Sequence, residues 1–299
     1  MFKKKVQSKD SSSTLILPVE RKDIGMRIIY WSFFAILLVL GVICLFPPIW
    51  VFLSAFKNIE EFLQMPPTII PKSFEPGKII TAWKQADFGR AYLNTICMGA
   101  GKVVCSVFFN GLAGYTLSRL KPRGYKLVFA LITWTMMMPS SVNMVPLFMT
   151  FIDMPLIHVN LTNTYIPFWL MAAASPFYIL LFKNFFDSIN MSYIEAARMD
   201  GCSELGIFFR IILPLSKPIV FSVVLFVMNE IWGDFLWPYL ILRDEKLYTT
   251  GIKLYQMQTA AQLDVYYMAM LFATLPPVIL YLCFQKYMMK GLSLGGVKG

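Results

Sequence analysis

An all-α membrane protein of six transmembrane helices is the fold class that this chain of 299 residues predicts. Composition, run length and charge placement all point to it. Hydrophobic residues make up 57% of the chain and charged residues 15%, against roughly 45–50% and 25% in a soluble domain. The apolar residues gather into runs near the roughly 20 that a helix needs to cross a bilayer. The net charge of +10 falls mostly between and beyond those runs, with more of it on one side than the other. These features argue against a soluble enzyme and against a disordered chain.

Residues 1–27 form a basic tail: Lys3, Lys4, Lys5, Lys9, Arg21, Lys22 and Arg27, with three consecutive serines from Ser11. Such a polar stretch buries too little to fold alone. Residues 28–56 carry no charge and outrun a signal-peptide core of about 7–15 residues, so they read as a retained first span. Pro47 and Pro48 should kink or end it, and Trp31 and Trp50 suit membrane interfaces. Residues 57–89 are polar and proline-rich, a loop with room for a short surface helix. The second span, 90–117, holds Lys102 and the small residues Gly99, Ala100, Gly101, Gly111, Ala113 and Gly114. Small residues let helix backbones approach closely in lipid, so this helix belongs inside the bundle.

Arg119, Lys121, Arg123 and Lys126 follow as a basic loop without an acid. Residues 127–152 are charge-free and form the third span, with Pro139 and Pro146 distorting its second half. Residues 159–182 form the fourth span, interrupted by Pro167 and Pro176. The segment 183–217 is too charged to cross lipid. The fifth span, 218–242, carries Glu230 and Asp234. A loop over 243–264 precedes the sixth span, 265–285, with Pro276 and Pro277 inside it. The apolar region thus covers 28–290, and a glycine-rich tail, 291–299, ends the chain.

Charge sets the orientation. The tails and the loops around 119–126 and 183–217 hold eighteen Lys and Arg, and the other loops hold eight. Positive residues favour the cytoplasmic side, which puts both termini and the 183–217 segment in the cytoplasm of a plasma-membrane protein. Catalytic material is scarce. His158 is the only histidine, and no phosphate-loop motif occurs, which leaves little for a zinc site, a histidine triad or ATP hydrolysis. The five cysteines are scattered without a C-x-x-C pair and read as reduced small hydrophobes.

The segment 193–214 is the most informative. Tyr193 to Asp200 are good helix formers, Gly201 interrupts, and Ser203 with Glu204 can open a second helix. Ala196 and Ala197 leave a smooth face that another protein can approach; Glu195 and Arg198 offer charged contacts. By itself this describes an amphipathic helix on the inner membrane face. Glu195-Ala196-Ala197, then Gly201, then Ile211, Leu213 and Pro214 fall at the spacing of the EAA motif of ABC importer permeases. Asn94-Thr95, Leu112-Ala113-Gly114-Tyr115 with Arg119, Met137-Met138-Pro139, and the run from Trp232 to Pro238 narrow the match. From about residue 28 onward the chain resembles the MalG-type permease subunits of binding-protein-dependent carbohydrate ABC importers. One position departs: Gly233 stands where the family commonly has Asn.

The resemblance implies the ABC type I importer permease fold and a non-catalytic transport subunit. It implies a second permease subunit, two ATPase subunits that bind ATP and Mg, and an extracytoplasmic binding protein delivering a sugar or oligosaccharide. The coupling residues would be Glu195, Ala196, Ala197, Gly201, Ile211, Leu213 and Pro214, with no cofactor in this chain. Gly201 would supply the sharp bend, because glycine tolerates positive φ. Candidates for the substrate path are Asn229, Glu230, Trp232, Asp234, Trp237 and Lys102. Glu230 and Asp234 are four apart, so on a helix they share a face, and flanking indoles suit a sugar. Structural roles stand beside this: either acid can pair with Lys102, or Asp234 can lie at the outer interface. A permease for a non-sugar solute and a secondary transporter are the alternative functions.

Overall fold

The structure is a computed structural model that describes residues 24–72 and 75–296. The basic tail up to residue 23 and residues 297–299 lie outside them. The chain divides into two compact units between Leu53 and Ser54. The first is represented by α1 (Ile24–Ser54), a helix of 31 residues. It spans about 46 Å at 1.5 Å per residue, enough to cross a bilayer. Pro47 and Pro48 lie inside it without ending it, and Trp31, Phe33 and Leu37 are exposed.

The second unit begins with two short helices, α2 (Ile59–Leu63) and α3 (Gly77–Gln85). The centre of the unit is α4 (Phe88–Leu120), with 33% of its apolar window buried against 11% for the last helix. It contains two wider π-type turns, at Ser106–Asn110 and Thr116–Leu120. Then follow α5 (Tyr125–Thr135), α6 (Ser140–Ile152), α7 (Ile166–Ala173) and α8 (Pro176–Asp187). The polar segment forms α9 (Ser192–Met199) and α10 (Glu204–Leu215). The chain ends in α11 (Lys217–Gly233), α12 (Leu236–Ile241), α13 (Thr250–Ala260) and α14 (Leu263–Gly296).

The small residues of α4 explain its central place. A Cβ on Gly99 would meet Ile231 and Met228 of α11, and one on Gly101 would meet the Trp169 ring of α7. One on Gly111 would meet Phe208 of α10, and one on Gly114 would meet the α8 backbone. Four helices therefore approach α4 where it lacks side-chain bulk, the way helices associate in lipid.

Among the described residues three helices are long and apolar enough to cross a membrane alone: α1, α4 and α14. The pairs α7–α8, bent by 43°, and α10–α11, bent by 81°, raise the number to five if each pair is one span. The expected third span, 127–152, is two shorter helices, parted at Met136–Pro139. Proline has no N–H and disfavours helix at the residue before it, so Pro139 breaks the run instead of only distorting it. Six continuous spans are thus not what the described residues form. The fifth expected span also stops early, at Gly233, and α12 continues after a break. The loop expected at 243–264 contains α13, and α14 runs as helix to Gly296, into the expected glycine-rich tail.

A helix break in an apolar bundle leaves backbone groups to satisfy. Between α7 and α8 the side chain of Asn110 does this. Its Nδ2 donates to the Ala172 carbonyl at 2.8 Å, and its Oδ1 accepts from the Ser175 N–H at 2.9 Å. Asn110→Leu keeps the volume and strands both groups, each worth about 1–3 kcal/mol when buried. The variant should unfold at a clearly lower temperature than wild type in detergent thermal denaturation. An unchanged melting temperature would remove Asn110 from this role.

Candidate functional site

The coupling segment is built around one turn. In α9, Ile194 and Ala197 are buried while Tyr193, Glu195, Ala196 and Arg198 are exposed. Gly201 has φ +76°. Its N–H bonds to Arg198 O at 3.0 Å, and the Cys202 N–H bonds to Ala197 O at 3.0 Å. This is the Schellman helix end, in which a residue of positive φ closes the last turn. No atom lies within 4 Å of a Cβ built on Gly201, so backbone conformation and not space demands glycine. Ser203 then caps α10, its Oγ accepting from the Gly206 N–H at 3.2 Å. Both halves of the expected helix–bend–helix are present.

Within α10 a π-type turn at Phe208–Ile212 precedes Pro214. Such a turn accommodates a missing backbone donor. Between α9 and α10 lies an open cleft of about 470 Å³, lined by residues that include Tyr193, Ala196, Asp200, Arg210, Ile211 and Pro214. Among the expected coupling residues, Ala196, Ala197, Ile211 and Pro214 line this cleft. Glu195 is exposed on α9, and Leu213 is packed against the core.

The segment is tied to α4 by contacts that the sequence did not announce. Glu204 accepts from Arg198 Nε at 2.8 Å through one carboxylate oxygen and from Tyr115 Oη at 2.8 Å through the other. Tyr115 is 2% exposed and lies on α4. Four residues on, Arg119 donates to the carbonyls of Phe186 and Ile189, at and beyond the end of α8. Ser118 Oγ donates to Asp187 at 2.6 Å. Glu204 and Tyr115 are 89 residues apart, so no local spacing signals their meeting.

The Arg198 hydrogen bond, helped by Tyr115, holds the Glu204 carboxyl below the usual glutamate range. A carboxylate lowered in the folded state stabilises above its unfolded pKa, and the gain is lost as pH falls through the folded one. The melting-temperature gap between wild type and Glu204→Gln should be full at neutral pH and close only below the ordinary glutamate range. The gap should be small, because Glu204 is 43% exposed and exposed ion pairs contribute little. A gap independent of pH down to the acid limit would contradict the ion pair.

The substrate-path candidates do not form one site. Lys102 Nζ of α4 lies 3.7 Å from Glu230 Oε2 of α11, the lysine buried and the carboxylate 56% exposed. Tyr178 Oη approaches the same oxygen at 3.5 Å. Asp234 does not share a helical face with Glu230, because α11 ends at Gly233 and Asp234 is extended. Its Oδ1 accepts from the Trp237 N–H at 3.2 Å and so starts α12. Trp237 packs into the core near Phe151. Asn229 and Trp232 line a different cleft, bounded by α11, α13 and α14.

The motif residues Asn94 and Thr95 hold a loop. Asn94 Nδ2 donates to the carbonyls of Lys246 and Tyr248 at 2.8 and 2.9 Å. Thr95 Oγ1 accepts from the Thr250 N–H at 3.0 Å. Both fasten the start of α13 to α4. Among the described residues no group of three or more His, Cys, Asp or Glu is arranged to hold a metal.

Residues 110–293 match the family model described as the binding-protein-dependent transport system inner membrane component. The match includes the whole coupling segment. The chain belongs to this family. It is 32% identical over 275 residues to the arabinooligosaccharides transport system permease protein AraQ of Bacillus subtilis (strain 168), covering 88% of this chain and 93% of that one. It is 33% identical over 234 residues to the melibiose/raffinose/stachyose import permease protein MelC of the same organism, covering 77% and 84%. Its fold matches a chain in the crystal structure of a bacterial ABC transporter involved in the import of the acidic polysaccharide alginate. That match has a TM-score of 0.79 at 24% identity and covers 89% of this chain and 98% of that one. As a member of the binding-protein-dependent family the protein is a multi-pass inner-membrane transport component, not a catalytic subunit.

Proposed function

We propose that this chain is one of two permease subunits of an ATP-driven importer for an oligosaccharide delivered by an extracytoplasmic binding protein. The observation that carries this reading is the family match over the coupling segment together with the oligosaccharide-named relatives. ATP and Mg act in two separate ATPase subunits, and none is needed here. Glu195, Ala196, Ala197, Gly201, Ile211, Leu213 and Pro214 form the docking lever for one of them. The exposed α9 face and the cleft beside it support this role. Movement of the lever reaches α4 through Glu204 and Tyr115. Lys102 and Glu230 face the translocation path, supported by their ion pair and by the exposure of Glu230 near the end of a mostly apolar helix. Asp234 and Trp237 shape the break between α11 and α12. Both termini lie in the cytoplasm in this reading, which the bias of basic residues toward the tails and the 183–217 segment supports.

Proteoliposomes holding the full complex test this reading. Sugar uptake should require ATP, the binding protein and this chain together. Uptake that persists without ATPase subunits would reject it.

A further inference from the structure

Two open clefts lie beside the α11 break and the helices that follow it, the inner one against α11 and α14 and the outer one beside α12. The inner one, about 520 Å³, is lined by residues that include Asn229, Trp232, Phe235, Tyr255, Gln258 and Thr274. The outer one, about 470 Å³, includes Gln85, Tyr239, Glu245, Tyr255, Gln256 and Thr259. Each falls in the roughly 300–1,000 Å³ range of small-ligand sites. Tyr255 belongs to both. Its ring stacks on Phe235 of the inner cleft, with centroids 4.9 Å apart and planes at 18°. It also meets Tyr239 of the outer cleft edge-on at 5.5 Å. These rings are 39%, 44% and 49% exposed for Phe235, Tyr255 and Tyr239.

We infer that Phe235, Tyr255 and Tyr239 form an aromatic track along which an extended sugar chain passes from the outer cleft to the inner one. This rests on the carbohydrate reading above. A sugar ring presents an apolar C–H face and a rim of hydroxyls. The track offers exposed rings for the first, and side-chain amides and hydroxyls on both sides for the second. A purely lipid-facing groove has no use for Asn229, Gln258, Gln256 and Thr259. Two clefts in series joined by one ring fit a chain of several sugars better than a single one.

The track is held in place. Gly251, Leu254, Tyr255 and Gln258 recur at helical spacing and all line the inner cleft. A Cβ on Gly251 would lie 2.9 Å from the Asp234 carbonyl and 3.3 Å from Phe235 Cβ. The missing side chain thus lets α13 sit directly on the α11–α12 break and brings Tyr255 onto Phe235. Asn94 and Thr95 fix the same helix from the α4 side.

The test uses proteoliposomes of the whole importer with its binding protein, offered a labelled pool of arabino- and galacto-oligosaccharides from mono- to hexasaccharide. Transported sugars are separated by length. Tyr255→Ala should cut uptake of the longest transported sugars by roughly tenfold and the shortest much less. Tyr255→Phe should keep the wild-type profile, and Tyr239→Ala should resemble Tyr255→Ala. Intact complex and ATP hydrolysis stimulated by loaded binding protein are verified in each variant. Equal loss at every length, or none, overturns the track. So does loss of the second permease subunit from the Tyr255→Ala complex, which would make the surface a subunit interface. Failure of wild type to take up any sugar, with the ATPase active, rejects the carbohydrate reading itself and the track with it.

Discussion

Gly201→Val is expected to leave the chain folded in the membrane while cutting transport and ATPase stimulation roughly 5–30-fold. The residue sits at φ +76° with open space around it. A left-handed backbone costs an ordinary residue about 1–2 kcal/mol, and a β-branched one is a genuine outlier there. The cost falls on the turn that orients α9 against α10 and leaves the bundle core untouched. Asparagine, which tolerates this conformation, should function better than the smaller alanine. If alanine and asparagine ranked by size instead, the turn would not be the reason for the glycine. Measurement of uptake and ATP hydrolysis in the assembled complex for the three variants decides this.

Gly114→Val should have the opposite signature: little protein accumulates at all. A Cβ there would lie 2.8 Å from Phe182 Cβ, 2.9 Å from the Lys183 nitrogen and 3.2 Å from the Ile179 carbonyl. Two of these are backbone atoms of α8, which cannot turn aside. Overpacking costs about 1–3 kcal/mol or more, and valine adds two methyl groups to the collision. Gly89→Ala on the same helix has nothing within 4 Å and should be neutral or stabilising, since alanine favours helix by about 1 kcal/mol. Size-exclusion profiles of tagged variants in detergent should show a monodisperse peak for Gly89→Ala and loss of it for Gly114→Val. Equal profiles would show that α4 and α8 are not in the close contact described.

Much of this was legible before the structure. Charge-free runs located α1 and the apolar part of α14, and a long apolar run with Lys102 inside it located α4, because hydrophobic length is the physical requirement for crossing. Small residues marked α4 as the central helix, since close approach in lipid needs them. The bend at Gly201 and the cap at Ser203 follow from local backbone chemistry. What stayed hidden depends on distant partners. The helix α13 sits in a charged stretch and is held by Asn94 and Thr95, about 155 residues earlier. The Glu204–Tyr115 contact and the Asn110 bridge join segments with no shared periodicity. The pairing of Glu230 with Asp234 on one face failed for a local reason: Gly233 ends the helix between them. Lys102 reaches Glu230, one of the pairings left open by the sequence.

The central claim is that the exposed face of α9 docks on an ATPase subunit. Site-directed cross-linking in the assembled transporter measures it most directly. A cysteine introduced as Ala196→Cys, compared with wild type carrying only its native cysteines, is treated with a short bifunctional thiol reagent. The account predicts a covalent permease–ATPase adduct that appears with Ala196→Cys, changes in yield when ATP is added, and is absent from wild type. An intact, ATP-hydrolysing complex in which position 196 remains freely alkylated and forms no adduct would contradict it.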